Sequence, residues 1–183
     1  MEAQDEALKT VRAHIRTVPD FPKPGISYKD ITPLIEDGIA LHAATDALHR
    51  ATEHLRYDLI LSAEARGFVF GTALAYRARK GLILARKPNK LPRETISASY
   101  DLEYGTDTLE AHADSIEQGT RVLVSDDLLA TGGTARAMCD LVENAGGTVS
   151  GVAFLIELGY LDGRSRLTPY EVISLITYAT PDD

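Results

Sequence analysis

The chain has 183 residues, 44% of them hydrophobic, which predicts one compact domain and leaves too little room for a second full one. Its net charge of −8 repels polyanions, which argues against a dedicated nucleic-acid binder but still allows a local basic pocket for a small phosphate ester. The single cysteine, Cys139, excludes an internal disulfide framework and favours a reducing compartment.

The first residues predict an amphipathic helix and not a targeting segment. Residues 1–16 lack the charged-then-apolar layout of a signal peptide, and Ala7, Val11 and Ile15 recur at four-residue spacing. No apolar run approaches the roughly 20 residues that cross a bilayer. We therefore expect a cytoplasmic protein with no membrane partner and no nucleic-acid partner.

Predicted strands and helices alternate along the rest of the chain. Prolines interrupt regular structure at 21–25, and apolar spacing then predicts helices over 39–55 and 67–79. A further helix is expected from Gly132 to the paired glycines at 146–147. Buried strands are predicted at 58–61, 82–85, 122–124, 149–156 and 172–176. This order indicates an α/β fold with a mostly parallel sheet, which binds ligands beyond the carboxyl ends of its strands.

The segment 122–134 has the strongest functional signal. Its apolar strand leads to two adjacent carboxylates, Asp126 and Asp127, and then to a loop of small residues before a helix. Backbone N–H groups at a helix N-terminus, with the hydroxyls of Thr131 and Thr134, bind phosphate, while ionised carboxylates accept hydrogen bonds from ribose hydroxyls. The alternative is a plain strand-to-helix turn capped by an aspartate. A triphosphate-binding loop is excluded because no Gly-Lys-Ser/Thr follows the glycines.

This segment is similar to the signature with which type I phosphoribosyltransferases bind phosphoribosyl pyrophosphate (PRPP). Three further segments make the chain resemble adenine phosphoribosyltransferases, and a basic segment at 86–92 extends the likeness over nearly the whole chain. The three are FPKPGISYKDIT at 21–32, EARGF at 64–68 and YDLEYG at 100–105. The resemblance implies the type I fold as a single domain over 1–183, with a base-binding hood in 1–35 and a flexible catalytic hairpin at 95–113.

The implied activity belongs to purine salvage. The phosphoribosyl group of PRPP would pass to adenine, forming AMP and pyrophosphate through an oxocarbenium-like transition state with inversion at C1′. Mg²⁺ would be carried mainly by PRPP, so that no dedicated protein metal site is expected. A homodimer is also implied, since the family's basic loop meets pyrophosphate partly across a dimer interface.

The resemblance assigns the PRPP contacts residue by residue. The 5′-phosphate would be held by Ala130, Thr131, Gly132, Gly133 and Thr134, and the ribose hydroxyls by Asp126 and Asp127. The pyrophosphate would contact Glu64, Ala65, Arg66, Arg86, Lys87 and Lys90. Relatives commonly have a cis peptide between the positions of Glu64 and Ala65. Taken alone, 64–68 fits a helix start equally well, and 86–93 fits a solvated basic surface.

Base recognition and catalysis follow from the same resemblance. Adenine would stack between Tyr28 and Leu128, and backbone groups near Ser27 and Lys29 would bind its Watson–Crick edge. The resemblance implies that Glu103 would accept the proton, that Arg66 would stabilise the leaving group and that Tyr104 would exclude water. The alternatives are a core aromatic at Tyr28 and a solvated hairpin turn at Glu103.

Two other functions stay open at this point, namely a phosphoribosyltransferase for a 6-oxo purine such as hypoxanthine or xanthine, and a PRPP-sensing regulator without catalysis. Two positions also depart from the family pattern, because Ser62 precedes the pyrophosphate loop where glycine is usual and Asn89 stands where the basic loop often has glycine. Asparagine tolerates the left-handed conformation that such a position requires. We expect Cys139 to be buried on a helix and inert.

Overall fold

The computed structural model describes residues 2–101, 106–181 and 183, and these form five α-helices and nine β-strands. The helices are α1 (Glu2–Ala13), α2 (Thr32–Glu36), α3 (Gly38–Thr52), α4 (Gly67–Ala78) and α5 (Gly133–Asn144). The strands are β1 (Arg16–Pro19), β2 (Ser27–Asp30), β3 (Leu59–Ala63), β4 (Gly81–Ala85), β5 (Thr95–Asp101), β6 (Thr106–His112), β7 (Arg121–Leu129), β8 (Thr148–Leu158) and β9 (Val172–Tyr178).

A five-stranded parallel sheet with the order β4-β3-β7-β8-β9 forms the centre of the fold, which confirms the predicted α/β architecture. The expectation that 82–85 is covered on both faces is wrong in part. β4 lies at the edge of the sheet, where Leu84 remains 39% exposed although Ile83 is buried. Apolar composition alone does not distinguish an edge strand from a central one.

The sheet separates two hydrophobic clusters. Because successive side chains of a strand point to opposite faces, Leu61 and Val124 join the cluster beneath α5, whereas Ile60 and Leu123 join the cluster of α3 and α4. α5 ends as the paired glycines predicted, since Gly146 follows its last turn at φ 85°. Both faces of the central strands are therefore buried, and ligands can reach them only at their ends.

Two antiparallel hairpins lie outside this sheet. β5 and β6 pair from Thr95 opposite His112 to Asp101 opposite Thr106, in the stretch where a hairpin was expected. β1 and β2 form a second hairpin that sequence reasoning missed, because each strand has only four residues and neither alternates clearly between apolar and polar. Within the described ranges, no helix is both long enough and apolar enough to cross a bilayer.

Candidate active site

A cleft of about 300 Å³ opens at the carboxyl ends of the central strands. The loop after β3, the loop after β4, the β5–β6 hairpin and the end of β7 all contribute to its walls. The lining residues are Glu64, Ala65, Arg66, Lys87, Tyr100, Leu109 and the continuous segment 126–135. The cleft therefore brings together most of the residues that the sequence assigned to PRPP.

Asp126 and Asp127 lie on the floor of the cleft and are 8% and 6% exposed. They belong to β7 itself, so the expectation that the strand ends at Val124 is wrong. The ladder with β8 continues past the acids, pairing Asp126 with Phe154 and Leu128 with Ile156. Burial and the neighbouring Asp127 carboxylate raise the pKa of Asp126 well above its ordinary value.

The loop 130–134 leads from β7 into α5 and has the geometry of a phosphate site. Gly132 has φ 84°, and α5 begins at the next residue, so its first N–H groups have no partner within the helix. A Cβ on Gly132 would lie 2.4 Å from the carbonyl oxygen of Gly163, and one on Gly163 would lie 2.1 Å from that of Ala130. Sequence reasoning missed Gly163, which allows the 163–167 turn to press against this loop.

Glu64 holds the loop after β4 against the loop after β3. Its carboxylate accepts hydrogen bonds from Arg86 Nε at 2.8 Å and from the Lys87 N–H at 2.9 Å. Burial opposes ionisation of Glu64, but these two hydrogen bonds outweigh it and lower the pKa. The Glu64–Ala65 peptide is cis, as the resemblance implied. Arg86 and Lys90 do not line the cleft, and Arg86 Nη1 instead donates to the Lys90 carbonyl oxygen at 3.2 Å.

The Lys87 ammonium lies in the cleft and forms an ion pair with the Asp107 carboxylate of β6. The Tyr100 hydroxyl donates to the same carboxylate oxygen at 3.1 Å. Tyr100 and Asp107 are directly opposite in the β5–β6 register, which explains their contact. Asp107 is a second residue that sequence reasoning missed, and only the pairing of the two strands could have revealed it.

The predicted base segment lies beside the cleft. Arg66 connects this segment to the cleft, because its guanidinium pairs with Asp127 at 2.7 Å (Nε to Oδ2) and also donates to the Tyr28 hydroxyl. Leu128 is half-buried in the wall of the cleft, whereas Ser27, Tyr28 and Lys29 are not among its lining residues. The side chains of Ser27 and Lys29 bond to the segment near residue 181.

Comparison with known proteins identifies the family of this chain. The sequence model of the family described as phosphoribosyl transferase domain matches residues 39–180. The chain is 67% identical to the adenine phosphoribosyltransferase of Rubrobacter xylanophilus over 99% of this chain and 98% of that one. This chain belongs to the adenine phosphoribosyltransferase family.

Solved adenine phosphoribosyltransferases share the same fold. The enzyme of Thermoanaerobacter pseudethanolicus is 51% identical, with a TM-score of 0.91 over 93% of this chain and 99% of that one. The enzyme of Saccharomyces cerevisiae, solved with an imino-altritol bisphosphate and adenine, is 34% identical, with a TM-score of 0.88 over 93% of this chain and 99% of that one.

Both departures from the adenine phosphoribosyltransferase pattern have a structural reason. A Cβ on Gly71 would lie only 2.1 Å from the hydroxyl oxygen of Ser62. The absence of a side chain at Gly71 therefore makes room for the Ser62 hydroxyl. Asn89 has φ 65°, the left-handed conformation that its residue type tolerates. Cys139 is buried as expected, and burial raises the pKa of its thiol to about 12. Glu103 and Tyr104 lie outside the described residues.

Proposed function

We propose that this protein transfers the 5-phosphoribosyl group of PRPP to adenine, forming AMP and pyrophosphate in purine salvage. The proposal rests on one cleft that combines two buried carboxylates, Asp126 and Asp127, with the short loop that leads from β7 through Gly132 into α5. The adenine phosphoribosyltransferases of the comparison, one of them solved with adenine, support the choice of base.

PRPP binding follows the order of the segments along β7 and α5. The 5′-phosphate accepts hydrogen bonds from the backbone of Ala130–Thr134, and the 2′- and 3′-hydroxyls donate to Asp126 and Asp127. The pyrophosphate group lies towards Ala65, Arg66 and Lys87. A ribose hydroxyl competes with Arg66 for Asp127, so substrate binding frees this guanidinium to face the leaving group.

The transfer requires stabilisation of charge at two places. The bond between C1′ and the pyrophosphate oxygen breaks with its electron pair going to pyrophosphate, and Arg66 and Lys87 stabilise that charge. Adenine N9 forms the new bond to C1′ from the opposite face, and the proton of N9 passes to Glu103 through the purine. Tyr104 covers the ribose and keeps water from the oxocarbenium-like carbon.

The site fits a Mg²⁺ ion that PRPP carries. Diphosphate oxygens of PRPP and water would supply most of the oxygen ligands that Mg²⁺ prefers, and the Asp126 and Asp127 carboxylates line the same cleft. When bound, the ion adds positive charge beside the pyrophosphate. Arg66 and Lys87 supply the protein's own share of that charge.

Adenine is selected on the hood side of the cleft, within 1–35. Tyr28 and Leu128 stack on its two faces, and backbone groups of Ser27 and Lys29 pair with N1 and the 6-amino group. A 6-oxo purine presents the opposite donor and acceptor pattern, and each buried mismatch costs about 1–3 kcal/mol. The homodimer stays a prediction, which analytical ultracentrifugation tests. The covering role of the 95–113 hairpin also stays a prediction, which limited proteolysis with and without PRPP tests.

One assay separates the alternatives. Protein, Mg²⁺ and PRPP are mixed separately with adenine, hypoxanthine, guanine and xanthine, and nucleotide formation is followed by chromatography. We expect AMP from adenine and little product from the other bases. A clear preference for hypoxanthine or xanthine would contradict the adenine assignment. Calorimetric binding of Mg²⁺-PRPP without turnover of any base would support the regulator instead.

A further inference from the structure

The Lys29 side chain is buried on the face of β2 opposite Tyr28. The residue is 2% exposed, and its ammonium donates to Asp183 O at 2.6 Å, Thr17 Oγ1 at 3.1 Å and Pro181 O at 3.3 Å. The same ammonium lies 4.2 Å from the centre of the Tyr178 ring. A buried charge is tolerated only when such partners replace water, so β2 and the segment after β9 are held together here.

The described residues after β9, 179–181 and 183, have hydrogen bonds of their own beside Lys29. The Asp183 carboxylate accepts hydrogen bonds from the N–H groups of Ala179 at 2.7 Å and Thr180 at 2.8 Å, and these bonds turn Asp183 back towards the end of β9. That turn presents the carbonyl oxygen of Pro181 to two neighbours on β2, because Ser27 Oγ also donates to it at 2.7 Å. One face of β2 is therefore anchored at both Ser27 and Lys29.

The residue between them points the other way. Successive side chains of a strand alternate, and Tyr28 accordingly contacts Arg66, whose Cζ lies 5.4 Å from the centre of the tyrosine ring. The anchor on one face of β2 thus sets the position of Tyr28 on the other face. Within the described residues, the hydrogen bonds of 179–181 and 183 run to β2 or to one another, and none of them reaches the phosphate loop 130–134 or the acids of β7.

We propose that Lys29 is a positioning residue for the base. By tying β2 to Pro181 and Asp183, its ammonium fixes the Tyr28 ring and the backbone of β2 at the adenine side of the cleft, so these contacts control affinity for adenine and not for PRPP. The inference rests on the proposed function, since it deepens the account of how that site binds its base.

The test separates the two substrates. Lys29→Met keeps the aliphatic stem but loses the donors, and we expect its adenine KM to rise about tenfold, the equivalent of ~1.4 kcal/mol, with the PRPP KM within about twofold of wild type. Lys29→Arg keeps charge and donors, and we expect it to restore most of the adenine affinity. A general loss of folding would instead lower the apparent kcat and the melting temperature and leave both KM values unchanged.

A second variant covers the case in which Lys29→Met does not fold. Asp183→Ala removes only the exposed carboxylate that closes the turn, and we expect the adenine KM to rise about threefold, the scale of one lost capping group. Glu171→Ala is the matched control, because this exposed acid is bonded to His54 at the other end of β9 and should leave both KM values unchanged.

The outcomes distinguish a failure of the positioning role of Lys29 from a failure of the proposed enzymatic function. An inactive wild-type protein would overturn the proposed function. An active wild type with unchanged adenine KM in both Lys29→Met and Asp183→Ala would overturn the positioning role alone. Equal increases in the adenine and PRPP KM values would also overturn it, because the anchor would then be structural.

Discussion

Arg66 pairs with Asp127 across the floor of the cleft, with 2.7 Å between Nε and Oδ2, and the same guanidinium donates to the hydroxyl of Tyr28. One side chain therefore links the acid proposed for the ribose to the aromatic ring proposed for the base. Because the ribose hydroxyls compete for the same carboxylate, Arg66 is positioned to change partners when PRPP binds.

Arg66→Ala should lower kcat by about 10²–10³-fold, since removing one charge-stabilising donor from a catalytic site has this effect. Steady-state turnover of adenine at saturating PRPP measures it. Arg50→Ala is the control, because Arg50 lies on the exposed side of α3 and pairs only weakly with Asp46, at 3.5 Å. Full activity of the Arg66 variant would remove this residue from leaving-group stabilisation.

Asp126→Asn should stabilise the ligand-free protein while weakening its binding of PRPP. The pKa of Asp126 is raised in the folded protein, so its protonated form contributes to the free energy of unfolding. That contribution is fully present below the unfolded pKa of about 4 and is lost as pH rises through the folded pKa. Asparagine avoids that loss, and we expect the free energy of unfolding at pH 8 to rise by about 1 kcal/mol. Urea denaturation at several pH values and calorimetry with Mg²⁺-PRPP measure the two effects.

Asp58→Asn is the control, because this substitution should change the free energy of unfolding in the opposite direction. The Arg121 side chain lowers the pKa of Asp58 to about 2, so the stability from this pair is present above pH ~4 and is lost as pH falls towards 2. This variant should be less stable than wild type at neutral pH, and the difference should vanish in acid. An Asp126→Asn variant that behaves like Asp58→Asn would contradict the assignment of a destabilising buried carboxylate.

Gly132→Ala should weaken PRPP binding by at least about tenfold and lower stability by about 1–3 kcal/mol, because φ 84° is strained for alanine and the new Cβ would approach the Gly163 carbonyl at 2.4 Å. Gly38→Ala is the matched control. It lies at the start of α3 with no atom within 4 Å of a new Cβ, and should raise stability by about 0.5–1 kcal/mol without affecting binding. Equal effects at the two glycines would exclude a special role for the phosphate loop.

Asp107→Asn should lower the KM for PRPP by about two- to fivefold, because the Lys87 ammonium would no longer pair with a carboxylate that the pyrophosphate has to displace. Asp114→Asn is the comparison, since it removes a different exposed acid that pairs with Arg93 at 3.1 Å. A rise in the PRPP KM of Asp107→Asn would show that Asp107 organises the site and does not compete with substrate.

Glu103→Gln should lower turnover about 10²–10⁴-fold in both directions, the usual contribution of a positioned proton acceptor. Glu117→Gln is the control, because Glu117 does not line the cleft, and it should retain the wild-type rate. Wild-type rates for Glu103→Gln with adenine and in pyrophosphorolysis of AMP would remove Glu103 from the mechanism.

Much of the fold and of the cleft could be predicted because the relevant signals are local. The apolar runs at 59–61 and 122–124 identify central strands, and the carboxyl ends of parallel strands meet at one edge of a sheet. Asp126, Asp127, Gly132 and Gly133 belong to one short segment of the chain, so their proximity needs no tertiary information. The exposed edge of β4 and the continuation of β7 to Leu129 were missed, because strand order and ladder length depend on neighbours distant in the chain.

The sequence by itself determined the family of the chain, its parallel sheet and the segment that receives a sugar phosphate, since each of these is encoded by residues adjacent in the chain. Only the tertiary structure decided that Lys29 binds the main-chain oxygen of Asp183, 154 positions away, that Asp107 pairs with Lys87, and that Gly163 supports the loop at Gly132. The physical reason is that these contacts join polar groups far apart in the chain, and such groups acquire partners only after the hydrophobic layers have brought their strands together.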